Sequence, residues 1–317
     1  MTVTQDAATT RPPARAPAQP PRRKDWSRRA PLLPALAFMI VMTQLPFIAT
    51  LVISTLDWNS LEPASRHFVF LDNYKIVFTD PQLREAVVNT IIYTVAVVLI
   101  SVVIGLAVAM LLDRKFLGRG LVRTMMITPF LIVPIAAALV WKHALLNPNY
   151  GLFNGVLTWI GDLFGDSSPP QPDWISEMPK TAIIASLVWQ WTPFMMLILL
   201  AGLQSQPREP LEAARVDGAT GWQTFKYLTM PHMRQYIELA MLLGSIYIVQ
   251  NFDAVFTITS GGLGTANLPY TIYQIFYQAH DYGRASAAAV IVVLGTIIIA
   301  TFALRTVSSL FKQEANR

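Results

Sequence analysis

Six stretches of the chain stay predominantly apolar for about 20 residues or more, the length a helix needs to cross a bilayer core. They cover residues 32–56, 86–112, 121–141, 181–203, 236–258 and 285–310. Hydrocarbon offers the backbone no partner, so only a helix spanning by itself satisfies its own N–H and C=O groups. The pattern therefore predicts an all-α, polytopic membrane bundle of six transmembrane helices over residues 31–312. Pro46, Pro129, Pro134 and Pro193 fall inside the apolar runs, where neighbouring helices can satisfy the freed carbonyls. The first run reads as a retained helix. Ala35-Leu36-Ala37 resembles a signal cleavage site but stands at the start of the run, which is also longer than a signal h-region.

The polar segments between these runs carry the topology. Arg11, Arg15, Arg22, Arg23, Lys24, Arg28 and Arg29 precede the first span, and Arg114, Lys115, Arg119 and Arg123 follow the second. Arg208, Arg215, Lys226 and Arg234 lie between the fourth and fifth, and Arg305, Lys312 and Arg317 end the chain. Together these make 18 of the 24 Lys and Arg, against six on the other side. Basic loops stay cytoplasmic. Both termini and the segment 204–234 are thus expected on the cytoplasmic side. The loop 142–180 is expected outside, with a short surface helix over 152–163. Residues 1–30, rich in Pro, Ala and Arg, read as a disordered cytoplasmic tail, and 313–317 as a short C-terminal one.

Composition agrees. Hydrophobic residues make up 53% and charged residues only 14%, where a soluble domain carries about 25% charged. The net charge of +5 follows from the loop bias and calls for no nucleic acid. Without cysteine there is neither a disulfide nor a thiolate metal site, and His67, His143, His232 and His280 show no metal-ligand spacing.

The segment 204–234 is the most informative. Pro207 and Pro210 suit the first turn of a helix, and Glu209 and Glu212 near that turn complement its dipole. Gly218 is placed as a left-handed stop. Thr220 and Gln223 have the spacing of a capping box for a second short helix. Phe225 and Leu228 give that helix an apolar stripe beside Trp222, and Pro231 is expected to break it before the fifth span. Such an exposed helix–Gly–helix elbow has reason to dock on another protein.

These residues resemble the signature of importer permeases: E-A-A, three residues, G, nine residues, then I-x-L-P. Here Glu212-Ala213-Ala214, Gly218 and Leu228-Thr229-Met230-Pro231 stand at those spacings, and Asp217 and Ala219 match its D-G-A core. The resemblance implies that the elbow is a coupling helix seated in a groove of a cytoplasmic ATPase dimer. It also implies a second permease subunit, an extracytoplasmic solute-binding protein, and a transport cycle of alternating access. The chain has no G-x-x-x-x-G-K-[ST] phosphate loop, so ATP and Mg belong to the partner ATPase and this chain binds no cofactor.

The resemblance, over about residues 32–310, points to the carbohydrate-uptake branch of maltose-permease type. The stretches Asn251-Phe252-Asp253 to Gly264 and Tyr270 to Gly283 look most like sorbitol or mannitol permeases, with Leu263 where G-G-P-G is usual. Such a turn is expected to be less rigid here. A sugar or polyol is held by aromatic faces and hydrogen-bonding side chains. Leu187, Trp191 and Phe194 in the fourth span, and Tyr247 and Asn251 in the fifth, are the candidates, with packing and lipid-interface roles as their structural alternative. Two rival readings remain at this stage. An ion-coupled secondary carrier of a neutral polar solute would more often show buried carboxylates. An intramembrane enzyme would need a convergent set of acids, histidines or a nucleophile, and none is visible.

Overall fold

The computed structural model describes residues 32–62, 66–165 and 169–314. The tail expected over 1–30 and the last three residues lie outside this range. Helix α1 (Leu33–Ile53) is apolar all round and has no buried residue, as suits contact with lipid. Helices α2 (Asp72–Thr79) and α3 (Pro81–Asp113) follow, then α4 (Arg119–Leu131) and α5 (Pro134–Leu139). The latter continues as a π-helical turn, Val140–Leu145. Next come α6 (Leu152–Leu163), α7 (Trp174–Glu177) and the long α8 (Pro179–Gln204). The elbow helices α9 (Arg208–Val216) and α10 (Gly221–Thr224) lead through a second π turn, Phe225–Thr229, into α11 (Met230–Val249). Helices α12 (Asp253–Ile258), α13 (Leu268–Tyr273, extended by a π turn over Gln274–Gln278) and α14 (Tyr282–Glu314) complete the chain. Among the described residues the fold is helical apart from one short strand pair, β1 (Leu56–Asp57) antiparallel to β2 (His67–Phe68), which pairs Leu56 with Phe68 and Asp57 with His67.

Among the described residues, three helices are long and apolar enough to cross a membrane: α1, α3 and α8. Helix α4 and α5 with its π turn, Arg119–Leu131 and Pro134–Leu145, qualify together, but the pair is bent by 96°. The third expected span is therefore not one straight rod. Its break falls at Ile132–Val133, where Pro134 supplies no N–H and disfavours a helical residue before it. Gln190 Nε2 of α8 donates to the Ile132 carbonyl at 3.3 Å and so serves one acceptor at the break.

The fifth expected span is also different. Helix α11 stops at Val249, and Asn251 falls in the gap before α12 instead of on a continuing stripe. Its polar start, with His232, Arg234, Gln235 and Glu238, offsets the apolar half. In the last expected span, helix α14 covers the whole run. The first ends three residues short of its expected limit, since Leu56 belongs to the strand pair.

The core forms where α3 and α8 pack along much of their length, with α11 laid against both. Tyr93, Val97, Ile183, Leu187, Met195, Met196, Leu199 and Ile248 are buried there. Gly202 lets α8 and α11 meet: a Cβ at this position would stand 2.5 Å from Cγ of Tyr236. Small residues at such crossings are what allow backbones to approach in membrane bundles.

The glycine-rich loop after α12 is fastened onto α3. Asn89 Nδ2 donates to the carbonyls of Gly264 and Ala266 at 3.0 and 2.8 Å, and the Tyr93 hydroxyl donates to Thr265 O at 3.0 Å. Inside this loop Leu263 takes φ +57°, a left-handed conformation that is unfavourable for leucine. A proline, fixed near −65°, does not fit the position as the loop stands. Leu263→Pro is therefore expected to cost more than about 1 kcal/mol of stability, while Leu263→Gly is expected to cost nothing or to stabilise. Thermal unfolding of the detergent-solubilised chain distinguishes the two, and a proline variant as stable as the glycine one contradicts the prediction.

Candidate functional site

The elbow is built as its residues dictate. Pro207 stands one residue before α9 and makes no capping bond, Pro210 lies in the first turn as expected, and the helix closes on Gly218 at φ +80°, where the Gly218 and Ala219 amides return to Arg215 O and Ala214 O. Thr220 then opens α10 with the expected capping box: the Gln223 amide donates to Thr220 Oγ1 at 3.3 Å and the Thr220 amide to Gln223 Oε1 at 2.7 Å. One side of the elbow borders the bundle across a cavity. Leu211, Arg215, Ala219 and Phe225 line a cavity of about 340 Å³ together with Met110 and Asp113 at the end of α3 and Leu203 at the end of α8. Glu212, Ala213, Asp217 and Gly218 are exposed, while Ala214 is half-buried. Glu212 and Val216, four residues apart, share a helix face. Val216 is 88% exposed and Trp222, tilted against Phe225 at 5.7 Å, is 70% exposed.

Pro231 does not act as expected. The helix runs on from α10 through the π turn into α11, with Pro231 in the first turn of α11 and exposed. The wider turn pairs the Met230 amide with Phe225 O and lets the chain pass the proline without a break. The second arm of the elbow, α10, and α11 are thus one continuous rod. A small network ties this rod to α8. The Ser205 hydroxyl donates to Gly202 O at 2.8 Å and lies 2.7 Å from the Tyr236 hydroxyl. His232 Nε2 stands 3.1 Å from both Ser205 Oγ and Gly202 O. Sequence patterns gave no hint of this cluster, because its members are 30 or so residues apart.

Further along the bundle, three of the five candidate solute-binding residues meet. Trp191 stacks on Tyr247 at 5.2 Å, and Phe194 lies edge-on to both, at 5.9 Å from Trp191 and 6.0 Å from Tyr247. Phe130, not singled out from the sequence, completes the cluster: it stacks on Phe194 at 5.3 Å and meets Trp191 edge-on at 5.6 Å. Only the adjacent Pro129 and the nearby Pro134 could have flagged it, since the bend brings it here. Tyr247 is exposed, Trp191 and Phe194 are half-buried, and Trp191 Nε1 has no hydrogen-bond partner.

The other two candidates are placed differently. Leu187 is buried in the core and forms no wall of this cluster. Asn251 sits in the break after α11. Its carbonyl accepts from Asn267 Nδ2, and its own Oδ1 is buried without a partner. Nearby, Lys142 Nζ donates to Thr257 O at 2.7 Å and joins the far half of the bent pair to α12. No group of three or more potential metal ligands occurs among the described residues.

A helical membrane permease, with an exposed elbow at one end and an aromatic cluster between its helices, is the class these features define. The chain belongs to the binding-protein-dependent transport system inner membrane component family, whose pattern it matches over residues 101–310. It is thus a permease subunit of a transporter and not an enzyme. Over 271 residues it is 35% identical to a probable ABC transporter permease of Sinorhizobium fredii, covering 84% of this chain and 85% of the relative. It is 32% identical to a trehalose/maltose transport system permease of Thermococcus litoralis, covering 82% and 86%. Its fold matches a chain of the bacterial alginate ABC transporter, solved with an alginate pentasaccharide-bound periplasmic protein. The TM-score is 0.74 at 22% identity, over 88% of this chain and 93% of that one. The family does not favour the ion-coupled carrier reading.

Proposed function

We propose that the chain carries a sugar or sugar alcohol through a bacterial plasma membrane by alternating access, driven by a cytoplasmic ATPase dimer that binds the elbow. The carrying observation is the elbow itself. Its inner side borders a cavity shared with the ends of α3 and α8, and Glu212, Val216 and Trp222 are exposed on it. ATP-driven closure would move the rod from Gly221 to Val249 as one piece, and with it Tyr247 of the aromatic cluster. The chain would cross six times, the bent pair making one crossing and α11 with α12 another. Both termini would lie in the cytoplasm, as the Lys and Arg distribution supports. A second permease subunit, a different chain as the resemblance to the carbohydrate branch implies, is required in this reading, because the cluster is open on the Tyr247 side and needs a facing wall. A periplasmic binding protein fits the company of the alginate transporter.

A carbohydrate cargo is supported by the trehalose/maltose relative and by the aromatic cluster. Sorbitol or mannitol rests on the resemblance of residues 251–283 alone. Trp191→Ala is expected to raise the half-saturating solute concentration about tenfold, an aromatic contact worth about 1.4 kcal/mol. Asn251→Ala is expected to weaken transport with the ATPase still co-purifying. Uptake of labelled trehalose, maltose and sorbitol by cells carrying the whole system checks both. Unchanged half-saturation for every transported solute removes these residues from the site.

A further inference from the structure

At the far end of α3 from the elbow lies a cavity of about 600 Å³ that none of the features above uses. Gln82 and Glu85 on the first turns of α3 form one wall, and Thr271, Gln274 and Gln278 form the other. Gly261 and Gly264 of the glycine-rich loop make the floor. From Gln82 to Asp113 the helix rises roughly 46 Å, so this cavity and the elbow occupy opposite ends of the bundle.

We infer that this cavity is a second solute site, an entry site for a neutral polyhydroxylated molecule; this rests on the importer reading and its orientation, which put the cavity on the outer face. The size lies within the usual range for small-molecule sites, about 300–1,000 Å³. The lining is the chemistry that recognises hydroxyl groups. Three carboxamides each donate and accept, and a carboxylate accepts from two hydroxyls at once. Glu85 is the only acid in the lining, too few hard oxygens of charge for a dedicated divalent cation site.

The backbone is shaped around these groups. The π turn Gln274–Gln278 widens the helix beside the cavity, a departure that recurs at functional sites. A Cβ at Gly264 would stand 3.1 Å from Glu85 Oε1, so the carboxylate rests close against the loop. Thr271 is buried in the wall, and its hydroxyl has no partner. The loop that forms the floor is the one pinned to α3 by Asn89 and Tyr93.

The absence of cysteine makes the test direct. Ala279, exposed at the cavity rim, is changed to cysteine in the full chain, assembled with its transporter in membranes. A membrane-impermeant maleimide is then applied from outside, with trehalose, maltose, sorbitol or choline present. Tyr150→Cys, also expected outside but away from the cavity, is the control. At about 10 mM, at least one of the three polyhydroxylated solutes is expected to slow labelling of Ala279→Cys by roughly threefold, as for a site of millimolar Kd. Tyr150→Cys is expected to be unaffected, and Glu85→Gln with Gln278→Leu to remove the protection. Protection by choline alone, or by none of the compounds, overturns the proposal. Uptake measured in the same cells separates the two failures. Uptake of a test solute without protection sinks the entry site alone. No uptake of any of them, or labelling only from the cytoplasmic side, sinks the importer reading and the site with it.

Discussion

Glu212→Lys is expected to lower uptake by roughly 30-fold or more while the chain still inserts, since reversing a charge at a desolvated contact costs about 2 kcal/mol or more. Glu212 is exposed on α9 one turn from Val216, and among the described residues the bonds that close the elbow do not involve it. Those caps are elsewhere, at Gly218 and in the Thr220–Gln223 box. The fold therefore survives the change, and the loss is one of coupling. Uptake, membrane abundance and ATPase co-purification, measured together, check it. Normal uptake at normal abundance contradicts the docking role.

Gly202→Val is the second large effect, and it acts through packing. The new side chain would enter the ring of Tyr236, whose Cγ and Cδ2 lie 2.5 and 2.7 Å from the Cβ position. Overpacking of this kind costs about 1–3 kcal/mol. Here it also pushes apart the two helices that the Ser205, His232 and Tyr236 network joins. Uptake and thermal stability should both fall. Tyr236→Ala in the same chain makes room for the valine, so the double variant should be more stable than the sum of the single changes. Strict additivity contradicts the steric account.

What the sequence made legible follows from how local each determinant is. The elbow was readable in detail because caps, the left-handed glycine and the box act over three or four residues. Helix α6 was legible for the same reason, and the structure places it at Leu152–Leu163 as expected. Pro231 was misread because a proline signals a missing donor, while the remedy, a π turn over Phe225–Thr229, depends on hydrogen-bond choices several residues upstream. The third span hid its 96° bend because apolarity reports what a segment dissolves in and not its direction.

The cluster shows the same division. Trp191 and Phe194 share a face of α8, and Tyr247 stands on a helix that packs against it, so spacing found them. Phe130 arrives from the bent pair and Leu187 turns into the core, and both outcomes depend on neighbours that no spacing reports.

In the proposed function, the elbow is where the ATPase takes hold. Val216→Cys, carrying a benzophenone label in the otherwise cysteine-free chain, tests it most directly. Irradiation of the assembled transporter is predicted to cross-link this position to the ATPase subunit, and Tyr150→Cys at the other end to leave it free. A co-purifying ATPase that never cross-links to Val216, or that cross-links to Tyr150, would contradict the account.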